Sequence, residues 1–299
     1  MSMKRFRFIK PITILLLLLS VVYLAISSYI AYDLWHPVRN ALLTTPAAYG
    51  LEYEDVEFTS AVDSIPLSGW FMDSSGTKTV LVMHGSNSVR DNYIGMEVSR
   101  ALIQHGYDVF AFDFRGHGES GGDIGALGAL ETRDISGALV YLKGRGVAEV
   151  GAFAISMGAA TELLAAPDHP EMRAIIADSS FADLFTVLDK ERVRSGIPSF
   201  FNPGVLLASK VWFGIDPLEN EPKRALARLG DRPVLIIHSS LDPLIPVNEA
   251  YELQKAGANN PNVELWVAQG SGHVTAFADN KKEYLRRVMA FFDKNLLGK

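Results

Sequence analysis

Residues 147 to 166 constrain this chain more than any other stretch. An apolar run from Val147 to Ile155 reads as a buried strand, Ser156 follows at once, and small residues from Met157 to Ala166 open a helix. A strand that turns straight into a helix brings the backbone close to itself, so the turn needs small residues on both sides. Ala154 and Gly158 supply them, with alanine standing where the pattern G-x-S-x-G has its first glycine. Alone, the pentapeptide fits two readings: a nucleophile raised on a sharp turn, or an ordinary serine capping a helix.

The rest of the chain separates them. A serine hydroxyl is a poor nucleophile until a base takes its proton, and the base needs an acid to orient it. The strand-like run Pro233–His238 leads into a loop that holds Asp242, followed by Pro243 and Pro246. The next strand, Val263–Val267, is soon followed by Gly270-Ser271-Gly272-His273. Serine, acid and histidine thus appear in that order, each after a strand. Asp178, after the strand Arg173–Ala177, is the alternative acid; the prolines that fix the Asp242 loop favour Asp242. Acyl transfer also needs donors for a developing oxyanion. The strand Lys78–Met83 ends in His84-Gly85-Ser86-Asn87, which offers the amide of Ser86. The amide of Met157, first in its helix, offers a second.

With Arg115-Gly116-His117-Gly118 after the strand Tyr107–Phe112, five motifs stand in one register. On these residues the chain resembles the α/β-hydrolase superfamily. The likeness is to its serine-hydrolase branch of monoglyceride lipases, small esterases and serine aminopeptidase-like proteins, from about Leu51 to the C-terminus. The resemblance implies a cap inserted after the sixth strand. It also makes His117 a loop-ordering residue. Ser156 argues against dehalogenase or epoxide hydrolase chemistry, which would place an aspartate at the turn.

The coarse pattern agrees. Strands are predicted at Asp55–Thr59, Leu67–Met72, Thr79–Met83, Asp108–Phe112, Val147–Ile155, Arg173–Ala177, Pro233–His238 and Val263–Val267. Helices are predicted at Asn92–Gln104, Thr132–Lys143, Met157–Ala166, Val247–Lys255 and Lys281–Lys294. This alternation predicts an α/β fold with a mostly parallel eight-stranded sheet covered on both faces, its first two strands forming an antiparallel edge hairpin. From about 181 to 228 no strand is evident and aromatics gather, which predicts a small helical cap. Trp212 and Phe213 are candidates to line an acyl pocket there; packing of the cap is the alternative. Each methylene buried in such a pocket would contribute up to about 0.8 kcal/mol. Short-to-medium aryl acyl esters are then expected to turn over best, and long-chain triglycerides poorly. His84, Asp113, His36, His105, His169 and His238 are read as structural.

The N-terminus addresses location. Lys4, Arg5, Arg7 and Lys10 precede an uncharged run from Pro11 to Tyr32, long enough to span a bilayer. The positive-inside rule puts the N-terminus in the cytoplasm and the enzyme outside the cell membrane, as a single-pass protein. A signal peptide cleaved near Ala25 and Ser27, with secretion, is the alternative. The organisation expected is a basic stub and anchor (1–33), a tether (34–50) and a hydrolase domain (51–299). A net charge of −6 without a basic patch in the globular part argues against nucleic acid as a partner. The chain has no cysteine, and no cluster of metal ligands is evident. A triad of this kind needs no cofactor.

The reading is a membrane-anchored serine hydrolase cleaving carboxylic esters of small or lipid-like substrates through an acyl-enzyme. Ser156, Asp242 and His273 are the predicted catalytic residues, and the amides of Ser86 and Met157 the oxyanion donors. A peptidase or an acyltransferase would use the same triad, and a non-enzymatic membrane-tethered interaction module is the remaining alternative.

Overall fold

Strands such as Thr79–Met83 and Val150–Ile155 are buried at every position, so both of their faces need cover. A computed structural model shows how the chain provides it; it describes residues 3–270 and 272–297. Ser271, in the glycine-rich stretch before His273, lies outside the described residues. The strands are β1 (Glu54–Thr59), β2 (Pro66–Met72), β3 (Thr79–Met83), β4 (Asp108–Phe112), β5 (Val150–Ile155), β6 (Met172–Asp178), β7 (Val234–Ser239) and β8 (Val263–Ala268). They form one eight-stranded sheet in the order β1-β2-β4-β3-β5-β6-β7-β8. β2 runs antiparallel to both β1 and β4, and every other pairing is parallel. The edge hairpin and the parallel body are therefore as predicted.

The helices are α1 (Met3–Trp35), α2 (Tyr93–Gln104), α3 (Thr132–Gly144), α4 (Met157–Ala165), α5 (Leu184–Arg194), α6 (Asn202–Ala208), α7 (Pro222–Leu226), α8 (Asn248–Ala256) and α9 (Ala276–Phe292). Helices α3, α4, α7 and α8 bury side chains such as Ile135, Leu163, Leu226 and Leu253 on one face of the sheet. Helices α2 and α9 cover the other with residues such as Met96, Leu102, Phe277 and Val288. β5 starts at Val150 rather than Val147, because Ala148 and Glu149 are exposed in the turn that leaves α3. α9 starts five residues before the predicted Lys281 and bends at Asn280, whose φ of −138° is not helical.

Between β6 and β7 the chain leaves the sheet through α5, α6, a π-helical turn (Ser209–Phe213) and α7. The end of α1 packs onto this segment. Gly204 makes the contact, since a Cβ there would lie 2.2 Å from Ser27 Oγ. Tyr23 stacks on Phe201 with ring centroids 5.6 Å apart, and the Trp35 indole N–H donates to Ser209 Oγ at 2.8 Å. Ala31 and Trp35 are buried with Phe181, Leu184, Val187 and Ile215 in a third apolar cluster. Residues 11–22 of the same helix stay exposed. By length and composition Pro11–Trp35, with a mean hydropathy of 2.4, could cross a membrane.

Residues 36–50, expected to be a tether, are pinned along the body. Arg39 donates to the carbonyls of Gly118, Ser120 and Gly122, and Asp91 accepts from the amides of Leu43 and Thr44.

Candidate active site

β5 delivers Ser156 at the carboxyl end of the sheet, where the loops of parallel strands gather. Its backbone has φ 54° and ψ −117°, a conformation that side chains other than glycine rarely adopt. Three close contacts hold that strain. The Ser156 amide donates to the Asp178 carbonyl at 2.7 Å. A Cβ on Gly158 would sit 2.5 Å from the His84 carbonyl, so glycine is what lets the start of α4 press on the β3 turn. A Cβ on Gly85 would lie 3.1 Å from Ser156 Cβ, so the turn itself crosses close to the serine. Ala154 is fully buried in β5.

The loops after β7 and β8 bring Asp242 and His273 to this serine. His273 Nε2 is 2.8 Å from Ser156 Oγ, and its Nδ1 is 2.6 Å from Asp242 Oδ2. Asp242 Oδ1 accepts from the amides of Leu244 and Ile245, each at 2.9 Å. Burial works to raise this carboxyl's pKa. The hydrogen bond and charge of His273, with the two amides, outweigh it and hold the pKa below the usual carboxylate range. Asp178 is buried elsewhere, accepting from the Tyr284 hydroxyl at 2.7 Å and the Ser179 hydroxyl at 2.8 Å. Burial pushes its pKa up despite those bonds.

Ser86 and Met157 both line a cavity of about 200 Å³, whose other wall includes Leu34, Pro37 and Val38. A second cleft of about 400 Å³ lies against Ser156 and His273 and is walled by Tyr93, Ile94, Val274 and Phe277. Trp212 and Phe213, expected over an acyl pocket, line neither. Trp212 is 67% exposed, with its indole N–H on Ser28 Oγ at 3.2 Å, and Phe213 meets the His36 ring edge-on at 5.8 Å. The packing of α1 on α6 draws these aromatics onto α1.

The other singled-out groups hold loops. His84 Nδ1 donates to the Gly85 carbonyl, and its Nε2 accepts from the Phe114 amide. Burial lowers its pKa to about 3, with the nearby His117 and Arg90 acting in the same direction. His117 donates from Nδ1 to the Arg115 carbonyl and accepts at Nε2 from the Asn87 amide. Asp113 accepts from Arg90 and from the Glu119 amide. His238, read from the sequence as structural, sits beside the triad acid, and Asn87 was given no role. His238 is fully buried, donates from Nε2 to the Ile245 carbonyl at 2.7 Å, and lies 3.7 Å from Asp242 Oδ2. Its place four residues before Asp242 was the available signal. Asn87 has φ 52° and receives the chain leaving α1. An asparagine after Gly85-Ser86 hinted at such a left-handed turn.

Comparison with known proteins places this geometry. The family model described as serine aminopeptidase, S33, matches residues 75–188. The crystal structure of the Pyrococcus furiosus esterase Pf2001 is 30% identical, with a TM-score of 0.74, covering 87% of this chain and 98% of that one. The Bacillus subtilis protein YqkD is 27% identical over 274 residues, 88% of this chain and 82% of its own. The Gallus gallus lysophosphatidylserine lipase ABHD12 is 26% identical over 208 residues, 64% of this chain and 51% of its own. The chain belongs to the α/β-hydrolase superfamily. Within it, this is an esterase/lipase-like serine hydrolase.

Proposed function

We propose that this protein is a membrane-anchored serine hydrolase that cleaves carboxylic esters of small or lipid-like substrates through an acyl-enzyme. The hydrogen-bonded line from Ser156 through His273 to Asp242, opening on a cleft, is the observation that carries this reading. Ser156 Oγ attacks the ester carbonyl carbon while His273 Nε2 takes its proton. Asp242 keeps the proton on Nδ1 and stabilises the imidazolium that forms. The amides of Ser86 and Met157 bind the oxyanion of both tetrahedral intermediates. His273 then protonates the departing alkoxide and, in the second half, takes a proton from water as the water attacks the acyl-enzyme.

His273 must reach the leaving oxygen, so the alcohol part occupies the larger cleft that His273 lines. The acyl part lies toward the cavity bounded by Ser86 and Met157. An aminopeptidase would share this triad, and the name of the matching family model favours that second reading. An aminopeptidase needs an anion for the substrate's α-ammonium. That ammonium belongs to the acyl part, and the smaller cavity given to the acyl part is lined by Asp33 and Glu131, so relative turnover of esters and arylamides decides between the two readings.

The test is labelling by a fluorophosphonate probe, wild type beside Ser156→Ala, followed by turnover on acyl esters and amino-acid arylamides. Labelling that persists in Ser156→Ala would reject the nucleophile, and faster arylamide turnover would make the enzyme a peptidase. Anchoring by α1, with the N-terminus cytoplasmic and the hydrolase domain outside, is checked by carbonate extraction of membranes and by protease access to intact cells. A mature N-terminus near Ser28 would replace the anchor with secretion.

A further inference from the structure

The chain leaving α1 passes directly over the turn that carries Ser86. The Val38 amide donates to Asn87 Oδ1 at 2.9 Å, and Asn40 Nδ2 donates to the Asn87 carbonyl at 2.8 Å. The Asn87 amide donates in turn to His117 Nε2 at 3.2 Å. One residue in a left-handed conformation, adjoining Ser86, is thus tied by three hydrogen bonds. Two of them come from the segment between the anchor and the body. Pro37 and Val38 also reach far enough to wall the cavity that Ser86 and Met157 line. Both ends of the segment are fixed, by the buried Trp35 on one side and by Asp91 on the other.

We infer that Val38 and Asn40 are positioning residues for the oxyanion turn, acting through Asn87, so that the exit from the anchor helix is a working part of the active site. The inference rests on the serine-hydrolase reading, with the Ser86 amide as an oxyanion donor. A donor of this kind is effective because it is held in place before the charge develops, and losing one outright costs about 10²- to 10³-fold in kcat. A donor left in place but less well held loses part of that. Since the charge appears only in the transition state, the loss falls on kcat and not on KM.

The test uses the full-length protein in detergent and p-nitrophenyl butyrate. Asn87→Gly removes the side-chain acceptor without straining a left-handed backbone, and Asn87→Asp keeps an acceptor at the same place. Asn40→Ala breaks the second bond independently. We expect kcat to fall about tenfold in Asn87→Gly and a few-fold in Asn40→Ala, with KM within about twofold and the melting temperature little changed. Asn87→Asp should stay near wild type. Wild-type kcat in both Asn87→Gly and Asn40→Ala would overturn the inference while leaving the hydrolase reading intact. So would an Asn87→Asp variant as impaired as Asn87→Gly, since the acceptor would then not matter. A wild type that neither turns over esters nor labels with fluorophosphonate would overturn both.

Discussion

Replacing Asp242 by asparagine should nearly abolish turnover, and the hydrogen bonds around it say why. Asp242 Oδ1 accepts from the amides of Leu244 and Ile245, while Oδ2 faces His273 Nδ1 at 2.6 Å. In Asp242→Asn the two backbone donors hold the amide oxygen in the Oδ1 position, which turns the NH₂ group toward His273. His273 Nδ1 must then accept, so its proton moves to Nε2, the atom 2.8 Å from Ser156 Oγ. A nitrogen that already carries a proton cannot take one from the serine. A wrong tautomer of this kind costs on the order of 10⁴ in kcat, or about 5.5 kcal/mol of barrier. Asp178→Asn is the comparison. Asp178 binds the Tyr284 and Ser179 hydroxyls and not His273, so one buried donor loses its acceptor. That should lower stability by about 1–3 kcal/mol and leave kcat within about tenfold. Steady-state hydrolysis of p-nitrophenyl butyrate beside thermal melts separates the two effects. Near-normal kcat in Asp242→Asn together with collapse in Asp178→Asn would refute the reasoning and move the acid to Asp178.

Gly158→Ala should lower kcat by roughly tenfold or more and destabilise by about 1–3 kcal/mol, because its Cβ would meet the His84 carbonyl 2.5 Å away. Gly144→Ala, with no atom within 4 Å of its Cβ, should match wild type in both measurements. Stability should fall with acid through His84. The unfolded chain takes up a proton below about pH 6.5, while the buried imidazole stays neutral until about pH 3, so the unfolded state binds more protons across that window. The full shift corresponds to roughly 5 kcal/mol. Urea unfolding of His84→Gln, which keeps a neutral acceptor for the Phe114 amide, should depend less on pH between 6.5 and 3; an unchanged slope would remove His84 as the cause. Ile94→Trp should narrow the larger cleft and slow naphthyl esters about tenfold more than ethyl esters, whereas Trp212→Ala should leave both rates and the acyl-chain preference unchanged.

What could be read from the sequence, and what could not, divides along a physical line. The sheet was legible because fully apolar runs such as Thr79–Met83 have no stable place except between two covered faces. The order Ser156, Asp242, His273 was legible because each residue follows such a strand, and strand ends converge in a parallel sheet. The first strand pair was legible as a hairpin because Glu54–Thr59 alternates exposed and buried toward its end, as an edge strand does. The cap was legible as helical, but not in its facing. Trp212 and Phe213 are apolar, and apolarity records only that a side chain prefers a partner. Which partner depends on α1, and the close approach of α1 to α6 depends on a lack of bulk at Gly204 and Ser27, which carries no periodic signal.

The segment after α1 was illegible for a related reason. Pro37, Pro46 and polar residues between them look like solvent-exposed linker. Its attachments are backbone amides at Val38, Leu43 and Thr44, the Asn40 side-chain amide and one guanidinium reaching three carbonyls, and backbone donors are the same in every sequence. Only the acceptors, Asn87 and Asp91, are distinctive, and they lie about fifty residues away. A contact made by a backbone group on one side and a single polar side chain on the other leaves no hydrophobic pattern on either. For the same reason it can be cut by changing one acceptor. The exit from α1 and the turn that carries Ser86 meet through such a contact, and a burial pattern would never have joined them.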